Sequence, residues 1–572
     1  MKNLNHETFV NKWWENISSP LPYDVEEWIQ GTYSGDEVFW KENVFDQQEQ
    51  LLPSSQSHFG KSYDFYHDCI FRHIKTNNTA FSIIKGGKYP DNWNYKRIHH
   101  CVNYHIEDWA NDQLKAGELI AIVGAPNIHF ILALFTALRF GLKICYLPTN
   151  SPFLGKGQII KFLTEIKPKF IATEDPSIVM DGMQQLSINE KGSDEENHAP
   201  LSFSYPAEIE LQISLSLEQQ QEQTLIPLDT HRTYLHALRE ALFTLNLVQN
   251  PYWAAPLACP IRTEPCNTLT SFLSGSTKVY VPEEVIKRNH LVIEDEKINI
   301  LGISNDLEQL WRQGTGVPTR YLKYCYKNPV EIPNQFWKSF VQLNQLEKIP
   351  KYDLLMDNAL GGAILCSRPS LDSFNVYLKP VFGTPWYLSD YNGTSKEALT
   401  GYGVFQLEEQ PPLGNFTATQ VENQLMLTGT ICPARAGVTF PTVQVEETIA
   451  GLPFVEDCML HPFSKPGTAL SHCCVLLVFI NPLSEDVSEA DREQWTQEIK
   501  SRISSNMGTG YLPDKIEYFS LIPKRNLLGL DRRWCANQFN SGLLIQKREF
   551  SQYKMLGGLK KLIQQFANQE VS

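Results

Sequence analysis

The sequence predicts an α/β protein built around a parallel sheet, and three stretches predict it. The first is residues 117–147, GELIAIVGAPNIHFILALFTALRFGLKICYL. LIAIVGA is a short, branched apolar run that stops at Gly, Ala and Pro, the pattern of a strand buried on both faces. Asn127 stands as an N-cap ahead of Ile128, Ile131, Leu132, Phe135 and Leu138 at helical spacing, and Gly141 falls where a helix-ending glycine belongs. KICYL then resumes as a strand, which makes a strand–helix–strand unit with a parallel, right-handed crossover. The second stretch, GQIIKFLTEI followed by KFIATE, adds another helix and strand to that sheet. The third, SFLSGSTKVYV at residues 271–281, reads as sheet scaffold.

Composition bounds the rest. At 572 residues the chain exceeds one hydrophobic core, so two or more domains are expected. Apolar residues at 42% and charged residues at 20% are ordinary for a globular protein. A net charge of −14 speaks against nucleic acid or an anionic membrane as the main partner, because both demand a cationic surface. The twelve cysteines form no CxxC pair and no Cys/His cluster at metal-ligand spacing. No signal-peptide apolar region opens the chain, and the most apolar helix is too short to span a bilayer and contains Arg139, so a cytoplasmic location with no membrane span is the expectation.

In chain order, residues 1–60 are aromatic and acidic and suggest short helices broken near Gly31 and Gly35. A helix is expected around Tyr63 to Lys75, then a turn-rich span from Lys85 to Asn94. His99, His100 and His105 lack the i, i+4 partner set of a helical metal site and read as packed or surface side chains. Residues 187–200 are a polar surface loop. Asp229 and Thr230 open an amphipathic helix through His231, Leu235, Leu238, Leu242 and Leu245. A strand is read at CCVLLVFI, with Cys473 and Cys474 as strand residues facing opposite ways.

Several of these segments, taken together, resemble the adenylate-forming superfamily: acyl-CoA synthetases, fatty acyl-AMP ligases and nonribosomal peptide adenylation domains. Gly117, Pro126, Asn127, Phe130, Ala137, Arg139, Gly141 and Pro148 stand in the places of that family's opening pattern. Gly437, Pro441, Val445, Glu446, Glu447, Pro453 and Val455 resemble the start of its small C-terminal domain, and Pro513, Ile516, Pro523, Gly529, Asp531 and Arg532 its closing motif. The resemblance covers roughly residues 110–540. It implies a large N-terminal α/β lobe (1–430) of parallel and mixed sheets with helices and a small β-subdomain. A helical wrap at 1–60 and a small α+β lobe at 431–572 complete the picture.

The family's catalytic motifs are missing in turn. Its phosphate loop needs glycines, so that backbone N–H groups reach the phosphates, and a lysine to meet their charge. The matching span, SLEQQQEQTLIPL at 216–228, has neither and carries Glu218 and Glu222. LSGSTK at 273–278 is the nearest substitute, but its Lys278 begins a strand. Tyr326, Lys327, Asn328 and Pro329 replace the turn where the family packs adenine. Gly361 and Gly362 remain of the turn that carries a phosphate-binding Thr and a Mg²⁺-binding Glu, without either residue. The ribose-binding Asp has no counterpart, since Asp390 and Asp457 lie in the wrong local patterns, and Leu530 stands where the family has its closing lysine.

The resemblance therefore implies a relative without catalytic, cofactor-binding or metal-binding residues, expected to bind an acyl group, an acyl carrier protein or a partner enzyme. A working acyl-AMP or acyl-CoA ligase that uses ATP and Mg²⁺ through unorthodox residues is the alternative. His231, Trp253, Cys259, Tyr326, Gly361 and Gly362 are the candidate lining of a vestigial or acyl pocket, with backbone room expected beside the two glycines.

Overall fold

The structure, a computed structural model, describes residues 37–42 and most of 59–544. The longer stretches outside the description are 194–201, 216–224, 255–262, 312–318, 372–377, 390–401, 408–415, 465–471 and 481–487. Residues 216–224 of the phosphate-loop span, Cys259, Asp390 and nearly all of the expected N-terminal wrap thus lie outside the described residues. Two compact units divide the chain: residues 1–439 with 467–471, and residues 440–466 with 472–572.

In the large unit, β1 (Leu119–Val123), helix α1 (Ile128–Phe140) and β2 (Lys143–Leu147) form the expected crossover, with β1 and β2 parallel. Asn127 Oδ1 accepts from the backbone N–H groups of His129 and Phe130, and Gly141 ends the helix at φ +84°. The left-handed conformation there is why glycine ends the helix. Strands Phe170–Thr173 and Gln184–Leu186 extend the sheet on one side and Glu210–Leu215 and Leu225–Asp229 on the other, six in all. Part of the expected phosphate-loop span, Leu225 to Leu228, is strand here, paired antiparallel with Glu210–Leu215.

A second, nine-stranded sheet holds β3 (Tyr252–Ala254), β4 (Thr277–Tyr280), β5 (Ile300–Ile303), β6 (Tyr324–Lys327), β7 (Lys351–Asp357) and β8 (Gly362–Cys366). Its order runs Lys379–Pro380, β8, β7, β6, β5, β3, β4, Thr79–Ile83, Asp91–Asn94. From Thr79–Ile83 to β7 the neighbours are parallel; β8 turns back antiparallel on β7. Helices α1, α2 (Thr230–Arg239) and α3 (Cys266–Ser274) bury their apolar side chains in one core with both sheets. Every residue of α3 is buried. On the sheet's other face α4 (Asn334–Leu343) covers a separate core around Trp311, Trp337 and Phe340. A four-stranded antiparallel sheet, Trp386–Ser389 to Gln424–Thr430, follows as a β-subdomain.

The small unit has α5 (Thr442–Ala450), α6 (Glu489–Asn506), α7 (Arg532–Asn540) and a three-stranded sheet. Val455–Ser464 pairs antiparallel with His472–Ile480, which pairs parallel with Lys515–Phe519. Arg532 reaches both carboxylate oxygens of Glu446 at 2.6 Å, a bidentate pair that ties the closing motif to the first helix. Leu530 packs against the apolar core of Met459, Val475, Leu477, Phe479 and Phe519.

Candidate functional site

The candidate residues divide between two faces of helix α2. Asp229 caps it, its carboxylate accepting from the Arg232 N–H at 2.6 Å. From there, side chains four residues apart share a face. Arg232, His236 and Glu240 look onto the turn between β7 and β8, where Gly361 and Gly362 lie. A Cβ at Gly361 would stand 2.7 Å from His236 Nδ1 and 3.3 Å from Arg232 Nε. One at Gly362 would stand 3.0 Å from Glu240 Oε1 and 3.1 Å from Cys266 Sγ. The room expected beside these glycines is therefore filled. They are glycines because α2 and α3 pack directly on their backbone, and because φ of +93° and +139° disfavours any side chain.

His231 sits on the other face, apart from that turn. Its Nδ1 lies 2.6 Å from Tyr63 Oη, the two rings stack at 5.8 Å, and the Gly60 N–H donates to the same Tyr63 oxygen at 2.7 Å. Burial raises the Tyr63 pKa, so the phenol stays neutral.

Glu240 opens a π-helical turn, Glu240–Thr244, that continues α2. It is wholly buried, and its Oε1 accepts the Ala363 N–H at 2.9 Å. Burial raises its pKa, against the opposing pull of Arg239. The His236 pKa is driven well below the usual range, by burial first and then by Arg239 and Arg232. The neutral imidazole is the form this site keeps.

Trp253, Tyr326 and Tyr352 form a second cluster on the face of the nine-stranded sheet that joins the main core. The Trp253 indole N–H donates to Tyr326 Oη at 3.1 Å, and Tyr326 stacks on Tyr352 at 5.3 Å. The expected position of Tyr326 and Lys327 in a turn is corrected: both belong to β6, and the turn begins at Asn328. Alternation along the strand sends them to opposite faces. Lys327 meets Asp353 at 3.0 Å, in register across β6 and β7, and both are buried. Burial lowers the Lys327 pKa and raises that of Asp353, while each partner opposes the shift.

Of the polar group beside this cluster, sequence reasoning reached only Lys278. Lys278, next to Trp253 across β3 and β4, forms a buried ion pair with Glu264 and donates to Thr268 Oγ1 at 2.6 Å. The Thr268 hydroxyl donates in turn to Glu264 Oε2 at 2.7 Å. Lys278 is thereby committed inside the fold. His236, Glu240, Glu264 and Cys266 were not singled out. The legible sign for two of them was their four-residue spacing on the helix already recognised from His231.

Elsewhere, His99 bonds Tyr66 Oη through Nδ1 at 2.7 Å and contacts Asn103 through Nε2 at 3.2 Å, while His105 Nε2 lies 2.8 Å from the Asn189 carbonyl oxygen. These histidines serve the packing of helix Tyr95–Ala110. Among the described residues no group of three His, Cys, Asp or Glu could hold a metal ion, and no helix is long and apolar enough to cross a membrane.

The chain matches no protein-family model and no curated protein. Solved structures do match. It is similar to an artificially fused adenylation–PCP di-domain of a nonribosomal peptide synthetase from Klebsiella oxytoca, at 12% identity and a TM-score of 0.61, covering 79% of this chain and 93% of that one. It is similar to an o-succinylbenzoate CoA synthetase from Bacillus subtilis at 12% identity and a TM-score of 0.63, covering 83% of this chain and 98% of that one. A fatty acid AMP ligase from Legionella pneumophila matches at 11% identity and a TM-score of 0.60, covering 87% of this chain and 98% of that one. The chain has the fold of adenylate-forming enzymes.

That fold implies ATP and Mg²⁺, and the residues at the turn between β7 and β8 do not fit them. Two carboxylates lie at the turn and both are buried, Asp357 opposite Gly362 across β7 and β8 and Glu240 held by the Ala363 N–H, and neutral His236 packs against Gly361. A metal–phosphate group needs an accessible anionic ligand, and this turn presents none among its described residues.

Proposed function

We propose that this protein is a non-adenylating relative of the adenylate-forming enzymes that works by binding, as an accessory protein to an acyl-carrier or biosynthetic partner. The observation that carries the reading is the filled turn at Gly361 and Gly362, where His236, Arg232, Glu240 and Cys266 crowd the backbone. The glycine-free, acidic span at 216–228 supports it independently. The Trp253–Tyr326–Tyr352 cluster and the Lys278–Glu264 pair fill the neighbouring interior with side chains bonded to one another, which favours a partner surface over an internal acyl tunnel. Two of the similar solved structures contain an adenylation domain together with a PCP, which makes a carrier protein a reasonable partner class.

Thermal melting with and without Mg·ATP tests the reading. Saturable binding at a hundredfold excess over the dissociation constant would stabilise the fold by about 2.7 kcal/mol. No shift at millimolar Mg·ATP is the expected result. A clear upward shift, or release of pyrophosphate with a panel of carboxylic acids, would instead establish a working ligase.

A further inference from the structure

In parallel α/β sheets ligands ordinarily meet the carboxyl ends of the strands. The opposite end of this sheet has a different character. There the segments leading into β5, β6 and β7 and the segment leaving β8 are stitched side by side. The Lys323 N–H donates to the Asn299 carbonyl at 2.7 Å and the Cys325 N–H to that of Pro350 at 3.2 Å, while Lys351 and Ser370 exchange backbone bonds at 2.7 and 2.9 Å. Each segment places at least one exposed cation on this edge: Lys297, Lys323, Lys348 and Arg368. With strands roughly 4.8 Å apart, the row spans about 15 Å. Among the described residues Lys297, Lys323 and Lys348 pair with no carboxylate, whereas Arg320 beside them lies 3.8 Å from Glu294.

The edge is also apolar and firm. Leu343, which ends α4 on the way into β7, and Leu371, which follows the Lys351–Ser370 pairing, are 47% and 57% exposed, two of the six large exposed hydrophobic side chains among the described residues. Both belong to the segments joined at this end of the sheet, which is not the single scattering that surfaces normally show. The loop that carries Lys348 is pinned from below, since Lys351 Nζ donates to the carbonyls of Leu346, Glu347 and Ile349 at 3.0, 3.4 and 2.7 Å. Glu347 lies within the row, and Glu294, Asp295 and Glu296 bound it on the β5 side, which gives the surface a direction.

We propose that this edge is a docking surface for an acidic amphipathic helix of a partner protein, whose carboxylates meet Lys323 and Lys348 while its apolar side chains cover Leu343 and Leu371. The assignment rests on the binding role above and names the surface and the partner's chemistry. Complementary charge sets orientation and encounter rate, and the leucines supply the area removed from water.

The test measures fluorescence anisotropy of a labelled helical peptide, about eighteen residues long, with Leu at i, i+3, i+4 and i+7 and Glu elsewhere, against the full chain. Saturable binding is expected, weakened about tenfold by Lys323→Glu with Lys348→Glu, weakened similarly by Leu343→Ser with Leu371→Ser, and unchanged by Lys156→Glu on another surface. Circular dichroism of each variant checks that it folds. No saturable binding would overturn the proposal, as would equal binding of an all-Glu peptide without leucines or insensitivity to both double variants. Tighter binding of a single-stranded polynucleotide, lost in the same variants, would overturn it in favour of a nucleic-acid surface. Melting with Mg·ATP is run on the same samples: a shift there with peptide binding intact defeats the non-adenylating reading alone.

Discussion

Gly361 concentrates the difference between an open cleft and a packed one. Its φ of +93° is a backbone state in which a side chain is strained, and the His236 ring lies where a Cβ would go. Gly361→Ala must therefore both distort the backbone and displace a buried imidazole. A left-handed alanine costs about 1–2 kcal/mol and overpacking a filled site adds about 1–3 kcal/mol. The expected result is a lower denaturant midpoint, with a loss of about 2–5 kcal/mol of stability in all. A vacant cleft predicts otherwise, with only the backbone cost visible. Equilibrium urea unfolding distinguishes the two, and a loss under about 2 kcal/mol would mean the site is not packed as described.

Between elements, the filled interior depends on pairs joining one strand to another. Trp253 on β3 and Tyr326 on β6 are not adjacent strands, since β5 runs between them, yet the indole N–H reaches the phenol oxygen at 3.1 Å. Tyr326→Phe keeps the ring and its stack on Tyr352 but leaves a fully buried N–H without that acceptor, which costs about 1–3 kcal/mol. Trp253→Phe combined with Tyr326→Phe should destabilise by less than the sum of the two single changes, a double-mutant cycle that an additive outcome would refute. The same pair marks what could be read beforehand. Elements with strong periodicity and caps were legible: Asn127 and Gly141 around α1, Asp229 before α2, and the branched runs of β1, β2 and His472–Ile480. Tyr326 and Lys327 were misplaced into a turn because Asn328 and Pro329 follow them, and local turn chemistry outweighed a short strand whose pairing is entirely non-local. Long-range pairs such as Glu240 with Ala363, or Lys278 with Glu264, leave no local periodicity to detect.

Across the whole molecule, the buried imidazoles couple stability to pH. Burial holds His73 and His99 down to about 4, from an ordinary 6.5, and lowers His105 and His236 as well. Between pH 6.5 and 4 the unfolded chain therefore binds protons that the folded one refuses, so folding stability falls as pH falls through that window. Glu240 has the opposite sign: its raised pKa favours the fold at low pH, and that contribution is lost as pH rises from its ordinary 4.5. Burial raises Asp64, Glu296 and Asp353 in the same sense, whereas Asp68, held low by Arg72 against its burial, acts with the imidazoles. Each fully titrating group contributes about 1.4 kcal/mol per pH unit. His99→Gln can keep an acceptor for the Tyr66 hydroxyl while removing the titration, so it should flatten the decline by up to that amount per unit. Urea midpoints measured from pH 7 down to 4 provide the check. A flat wild-type profile would contradict the buried-histidine account, and an unchanged slope in His99→Gln would remove His99 from it.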